Sequence, residues 1–377
     1  MANTFTVVAP ALVSQFEAKY YWNGISDEPP ELFYRSDLDS NPFPHPKPGD
    51  RWFQLPVKTA SSVSGTALNK IWHEVAPLII TLFKQRGVSY SVLKSARVLI
   101  VDSDEGDQMT MGPVVVWIAL HPDRHTDSDA RDVSPDVLRI LAEHGVKDAV
   151  VEWYEGAVEK LICPPLLRVT NDTSPSYYVR RTLTAALGMP IAAKEMEDDN
   201  FHDITRRSIG WVDWAPKIAI DVDSSGYSRD IGTFELDPSK FSANFKGNVV
   251  DLGNKIDLHK LNRISGSAVS SRANNSSNPT ATEDGKPVYI VAKDGCGTDL
   301  TVGRYSELEA YLCSESGKES KDAVIYNYSK TSGSFSGEGD SGSLIFTGDG
   351  RMLAVLHSGM PASRTTYKHA DFDREAF

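Results

Sequence analysis

The feature that most constrains the fold is a series of short runs in the C-terminal half. They are residues 209–214, 217–222, 228–236, 249–252, 288–292, 300–303, 323–328, 343–346 and 352–357, each set between turn residues. Each is too short to make a packed helix, and most are rich in the β-branched and aromatic side chains that suit a pleated, half-buried surface. Nine such runs in succession predict an all-β barrel or sandwich. One stretch interrupts them: residues 265–285 are Ser-, Asn- and Thr-rich and almost free of apolar side chains, as in a loop or a connection between barrels.

The N-terminal half reads differently. Pro29, Pro30, Pro42, Pro44, Pro46 and Pro48 crowd one segment, and because proline lacks an N–H and fixes φ, residues 1–62 are expected to be an extended leader. From Thr66, the apolar residues Leu68, Ile71, Trp72, Val75, Leu78, Ile79 and Leu82 recur at helical spacing. Strand-like runs follow at 98–101 and 114–119, then a helix over 135–143 that Gly145 ends, then a strand at 149–154. This order predicts an α+β domain over 63–162, with two helices on one face of a sheet. Pro164-Pro165, Asn171 and Ser174-Pro175 mark 163–207 as a linker region, with a short helical run at 180–187, and the β-rich domain takes 208–377.

Composition narrows the partners. A formal net charge of −12 over 377 residues, with Lys and Arg scattered, disfavours nucleic acid. The longest apolar stretch, 113–120, is far short of the roughly 20 residues of a membrane span, and no basic segment precedes the apolar N-terminal residues, so an intracellular, cytoplasmic protein is expected. Three cysteines, Cys163, Cys296 and Cys313, lack metal-ligand spacing and make no disulfide framework. His121 and His125 are spaced like zinc ligands on a helix, but Pro122 and Asp123 put them in a surface loop. The stretch 221–226 starts like a calcium loop, yet Gly232 stands where the bidentate glutamate belongs, so it reads as a hairpin turn. No metal or cofactor is expected.

Chemistry concentrates in Gly337-Glu338-Gly339-Asp340-Ser341-Gly342-Ser343, which leads into an apolar run, a Gly348-Asp349-Gly350 turn and a second run ending at His357-Ser358-Gly359. A glycine-rich turn lets backbone N–H groups converge, and a serine held there presents its Oγ while its own N–H and that of Gly339 form an oxyanion hole. This arrangement resembles the nucleophile region of trypsin-like, chymotrypsin-fold serine proteases. Arg229-Asp230-Ile231-Gly232 resembles the segment carrying that family's orienting aspartate, here Asp230. Thr298-Asp299-Leu300-Thr301-Val302-Gly303 is similar to the Thr-Gly-Leu-Thr-Val-Gly strand that opens its second barrel. Much of the chain, from Ser208 to Gly359 above all, is also similar to a fungal group of trypsin-like-domain proteins with long N-terminal regions.

The resemblance implies a serine peptidase acting on peptide or protein substrates, with a double barrel, Ser341 as nucleophile, Gly339 and Ser341 as the oxyanion hole, and a substrate pocket at Phe335, His357 and Gly359. It also exposes departures. No strand-borne histidine lies between Pro175 and Asp230. The histidine there, His202, follows the acidic run Glu195-Met196-Glu197-Asp198-Asp199 and is the candidate general base in a loop setting. Residues 360–377 are too brief and polar for the family's closing strand and helix. The expectation is therefore an incomplete barrel pair and an impaired or inactive peptidase, with an active hydrolase built on a non-standard histidine, or a non-catalytic binding or scaffold module, as alternatives.

Overall fold

The computed structural model describes residues 12–26, 28–47, 49, 53–102, 108–161, 210–217, 219, 227, 229, 231–240, 280–281, 287–328, 332–347 and 351–360. In chain order these form α1 (Gln15–Tyr20), β1 (Leu32–Arg35), β2 (Val57–Ser61), α2 (Ala67–Arg86), β3 (Tyr90–Asp102), β4 (Gln108–Leu120), α3 (Asp127–Glu143), β5 (Ala149–Glu155) and β6 (Glu159–Lys160). Then come β7 (Gly210–Trp214), β8 (Thr233–Leu236), β9 (Thr280–Ala281), β10 (Pro287–Gly295), β11 (Asp299–Cys313), β12 (Glu319–Asn327), β13 (Leu344–Thr347), β14 (Met352–Val355) and β15 (Ser358–Gly359). The protein is mostly β-sheet with a few helices, and no barrel closes among the described residues. The expected strands at 217–222 and 249–252, the helical run at 180–187 and the loop 265–285 lie wholly or mostly outside them.

Each helix has a local cause. Thr66 caps α2 by accepting the Asn69 N–H on its side chain, and Gly87, at φ 70°, ends it in the left-handed conformation. Leu68, Trp72, Val75, Ile79 and Phe83 are fully buried along one face; Leu78, expected on that face, is 43% exposed instead. The second long helix starts eight residues before its expected position. A capping box between Thr126 and Asp129 nucleates it, and Pro135, expected as the first residue, lies inside.

One eleven-stranded sheet dominates, in the order β1-β5-β4-β3-β11-β10-β13-β14, with β2 also on β3, β12 on β11 and β9 on β10. The pairings along this path are antiparallel except that of β4 with β5, which α3 connects as a crossover. Strand alternation splits β4 and β5 cleanly. Val114, Val116, Ile118, Leu120, Val151 and Trp153 face α2 and α3, whereas Val115, Trp117, Ala119 and Tyr154 face the other side, where Tyr21, Trp22 and Phe43 cover them. That second face holds Glu152, whose carboxylate accepts hydrogen bonds from Tyr21 Oη (2.7 Å) and Trp22 Nε1 (2.8 Å) and from Trp117 Nε1.

Two expectations change here. The described part of the segment expected to be an extended leader is paired into the sheet: β1 pairs with β5, β2 pairs with β3, and buried Arg35 joins Glu17 at 2.7 Å and Asp37 at 2.8 Å. The prolines govern 42–47, which has no helix or strand, but leave Leu32–Arg35 free to pair. The sheet also runs across the compositional boundary, because Leu93 and Val92 of β3 pair with Tyr311 and Leu312 of β11. Beyond that junction, Val291, Phe335, Ile345 and Leu356 form a separate small core beneath the glycine-rich loop.

Candidate functional site

The loop between β12 and β13 is held from inside by Asp340. Its side chain is fully buried and lies 2.9 Å from the equally buried Lys293 Nζ of β10. It also accepts from Gly297 N (2.7 Å), Thr298 N (3.1 Å), Thr298 Oγ1 (2.7 Å) and Gly337 N (2.9 Å). Burial alone pushes this carboxyl up, but the hydrogen bonds from Thr298, Lys293, Gly337 and Gly297 outweigh it, and the net effect holds Asp340 below the usual carboxylate range. A bracket of this kind fixes the backbone on both sides of Asp340. Lys293 is itself satisfied by Thr298 Oγ1 and by the Asp299 carbonyl at 3.0 Å.

The backbone geometry that results is the central feature. Gly339 takes φ 93°, a conformation that a side chain would strain, and this turns its N–H toward that of Ser341. Both N–H groups donate to one acceptor, the carbonyl oxygen of Leu161, each at 3.2 Å. The structure thus brings the Gly339 and Ser341 N–H groups, the pair named from the sequence, to one acceptor. Ser341 is exposed. Among the described residues its Oγ makes no hydrogen bond, so no imidazole is engaged with it there.

The segment that delivers Leu161 arrives as a strand. β6 pairs antiparallel with β15, Lys160 opposite Ser358 and Glu159 opposite Gly359, and the Leu161 N–H donates to the His357 carbonyl at 3.2 Å. The Leu161 side chain packs on the small core of Val291, Phe335, Ile345 and Leu356. A Cβ placed on Gly359 would meet Leu161 Cδ2 at 3.4 Å and Ser336 Oγ at 3.5 Å, so the leucine lies beside Gly359. Phe335, 4% exposed, is part of that small core on which Leu161 packs.

Not every expected residue joins this site. Asp230 and His202 lie outside the described residues. His357 contributes its carbonyl, while its ring Nε2 lies 3.4 Å from Asp322 Oδ2 on β12. His121 is not on a surface loop as expected: it is buried, and its Nε2 lies 2.9 Å from the Cys313 carbonyl. His125 Nε2 accepts the Ser89 N–H at 2.7 Å. Among the described residues no cluster of His, Cys, Asp and Glu could hold a metal, and no helix is long and apolar enough to cross a membrane.

Sequence reading missed three participants. Lys293 reads as an ordinary strand lysine, Thr298 as part of a turn, and Leu161 as the tail of the N-terminal domain. Only Thr298 carried a signal, since Thr298–Gly303 had been matched to a family strand. Asp299, within that stretch, takes φ 52°, in the left-handed region. Gly303 meets a different need: a Cβ there would lie 2.5 Å from Ile325 Cγ2 and 2.7 Å from Phe335 Cδ2, so glycine lets Phe335 close the floor. No protein-family model matches the chain, and no curated protein matches it.

Proposed function

We propose that this chain carries a trypsin-like serine peptidase site, assembled on the chymotrypsin-like barrel plan, whose peptide-binding half is intact and whose catalytic half is impaired. One observation carries the reading: two N–H groups, from Gly339 and Ser341, converge on a single peptide carbonyl beside an exposed serine. In acyl transfer such a pair stabilises the oxyanion that forms when the nucleophile attacks. An extended peptide would add its main chain to Ser358–Gly359, place an apolar side chain over Phe335, and bring its carbonyl carbon to Ser341. An uncharged floor disfavours Lys or Arg in the slot.

Attack by Ser341 needs a base to take the Oγ proton, and an imidazole oriented by a carboxylate is the usual solution. His202 and Asp230 remain the residues proposed for those roles. The acidic run Glu195-Met196-Glu197-Asp198-Asp199 ahead of His202 is a poor setting for an oriented base, so Ser341 stays a neutral alcohol and turnover is slow. A fluorophosphonate probe reads this state directly, because it reports activation of the serine. The wild-type protein is expected to label no faster than Ser341→Ala. Rapid labelling at Ser341 that is lost in His202→Ala would overturn the impaired reading in favour of a working hydrolase.

A further inference from the structure

We infer that the carbonyl-binding site at Gly339 and Ser341 is occupied by the protein's own residues 159–161, and that this self-ligand displays the class of peptide the site selects: an extended chain with leucine packed on the small apolar core. The inference rests on the reading of the site as a peptide carbonyl trap and adds to it the occupant and the specificity.

Three independent contacts place the segment as a bound peptide would lie. The main chain of Glu159 and Lys160 pairs with Gly359 and Ser358, which is β-strand addition to a short edge. Leu161 is pinned at both of its backbone polar groups, its N–H on the His357 carbonyl and its oxygen under Gly339 and Ser341 N–H. Its side chain lies beside Gly359 and packs on the core of Val291, Phe335, Ile345 and Leu356. A strand serving only to close the sheet would require the first contact alone. The second holds the Leu161 carbonyl oxygen under the N–H groups of Gly339 and Ser341, and the third supplies selectivity, because an apolar slot without a charge accepts leucine and rejects an acidic side chain.

Each of the three hydrogen bonds at Leu161 is 3.2 Å long, at the far end of the normal range, so the segment is held by contacts that a competing peptide can match. The advantage of the internal segment is its tether. A covalently linked ligand acts at an effective concentration on the order of millimolar, which suppresses peptides offered at lower concentration. Glu159 is exposed, so the residue two positions before the leucine is not read by a pocket.

The test uses the full chain and a fluorescein-labelled hexapeptide with the sequence of residues 157–162, Ala-Val-Glu-Lys-Leu-Ile, followed by fluorescence anisotropy. Leu161→Asp places a carboxylate against the slot and should expel the segment; this variant is expected to bind the peptide at least ~10-fold more tightly than wild type. Leu161→Met keeps an apolar occupant and should bind like wild type. Leu161→Gly, which empties the slot without adding charge, carries the same expectation as Leu161→Asp and guards against misfolding of the charged variant. Equal affinities for wild type and both opened variants, or binding by none, would overturn the inference. A second peptide, with the leucine carbonyl reduced to a methylene, separates the two readings. If it binds the opened variants as well as the parent peptide does, the carbonyl trap fails while self-occupancy stands.

Discussion

Replacing Lys293 by methionine tests what holds the loop in its carbonyl-binding shape. The substitution keeps the side-chain length and removes the ammonium that lies 2.9 Å from Asp340, where both side chains are fully buried. Breaking a buried pair by deleting one partner typically costs about 3–5 kcal/mol, because the remaining charge stays buried without compensation. Here the remaining carboxylate keeps four donors, from Gly297, Thr298 (twice) and Gly337, which moves the expected loss to the lower end, about 3 kcal/mol. Urea unfolding of wild type and Lys293→Met at pH 7 measures it. The pH dependence gives an independent check. A carboxyl held below its unfolded value contributes stability that is present above that unfolded value and is lost as pH falls through the folded one. The difference between the two proteins should therefore be full at pH 7 and narrow in the acid range below the ordinary carboxylate pKa. Amide exchange at Gly339 and Ser341 should rise in the variant. A loss under 1 kcal/mol at pH 7, with exchange at those amides unchanged, would refute the view that this ion pair shapes the loop.

How much of this was legible beforehand depended on whether the cause was local. The first long helix could be read because its apolar period, starting from Thr66, lies within its own sequence. The other was misplaced at its start because Pro135 resembled an N-terminal signal more than the Thr126–Asp129 box did. The sheet spanning both halves could not be read at all. Its junction, β3 against β11, joins residues more than two hundred positions apart, and neither strand carries a mark of its partner. The site divides in the same way. Gly339 was legible because positive φ at that position favours glycine whatever surrounds it. Lys293 and Leu161 were not, because their roles arise only when β10 and β6 are brought against the loop, and before that they are a strand lysine and an apolar residue. The strands before residue 63 were hidden for a related reason: prolines dominate the composition of 29–48, while Leu32–Arg35 lies between them and Val57–Ser61 beyond them, and both find their partners far along the chain.

Gly303→Ala should lose about 1–3 kcal/mol in urea unfolding, since the added methyl would lie 2.5 Å from Ile325 and 2.7 Å from Phe335; a loss under 0.5 kcal/mol would show that the floor gives way freely. Arg35→Met should cost about 3–5 kcal/mol by leaving buried Glu17 without its partner, and a neutral result would show that this ion pair does not hold α1 against β1. Lys94 offers the sharpest test of the second face of the sheet. Its ammonium stands 5.2 Å from the Trp117 ring, 5.7 Å from that of Tyr326 and 5.8 Å from that of Tyr154, beside a cleft of about 1150 Å³, and burial lowers its amine to about 8. Burial pushes the Tyr154 and Tyr326 phenols upward, so they stay neutral while the lysine titrates. A lysine with a depressed folded pKa destabilises in full below that value, and the penalty fades as pH rises toward the unfolded value near 10.5. The shift corresponds to roughly 3 kcal/mol, from which attraction to the rings subtracts roughly 0.5–2 kcal/mol. Lys94→Met is therefore expected to be more stable than wild type by about 1–2 kcal/mol at pH 7, with the gap shrinking between pH 8 and 10.5. A variant less stable than wild type at pH 7 would mean that the aromatic ring contacts outweigh desolvation and that the lysine is held there as a cation.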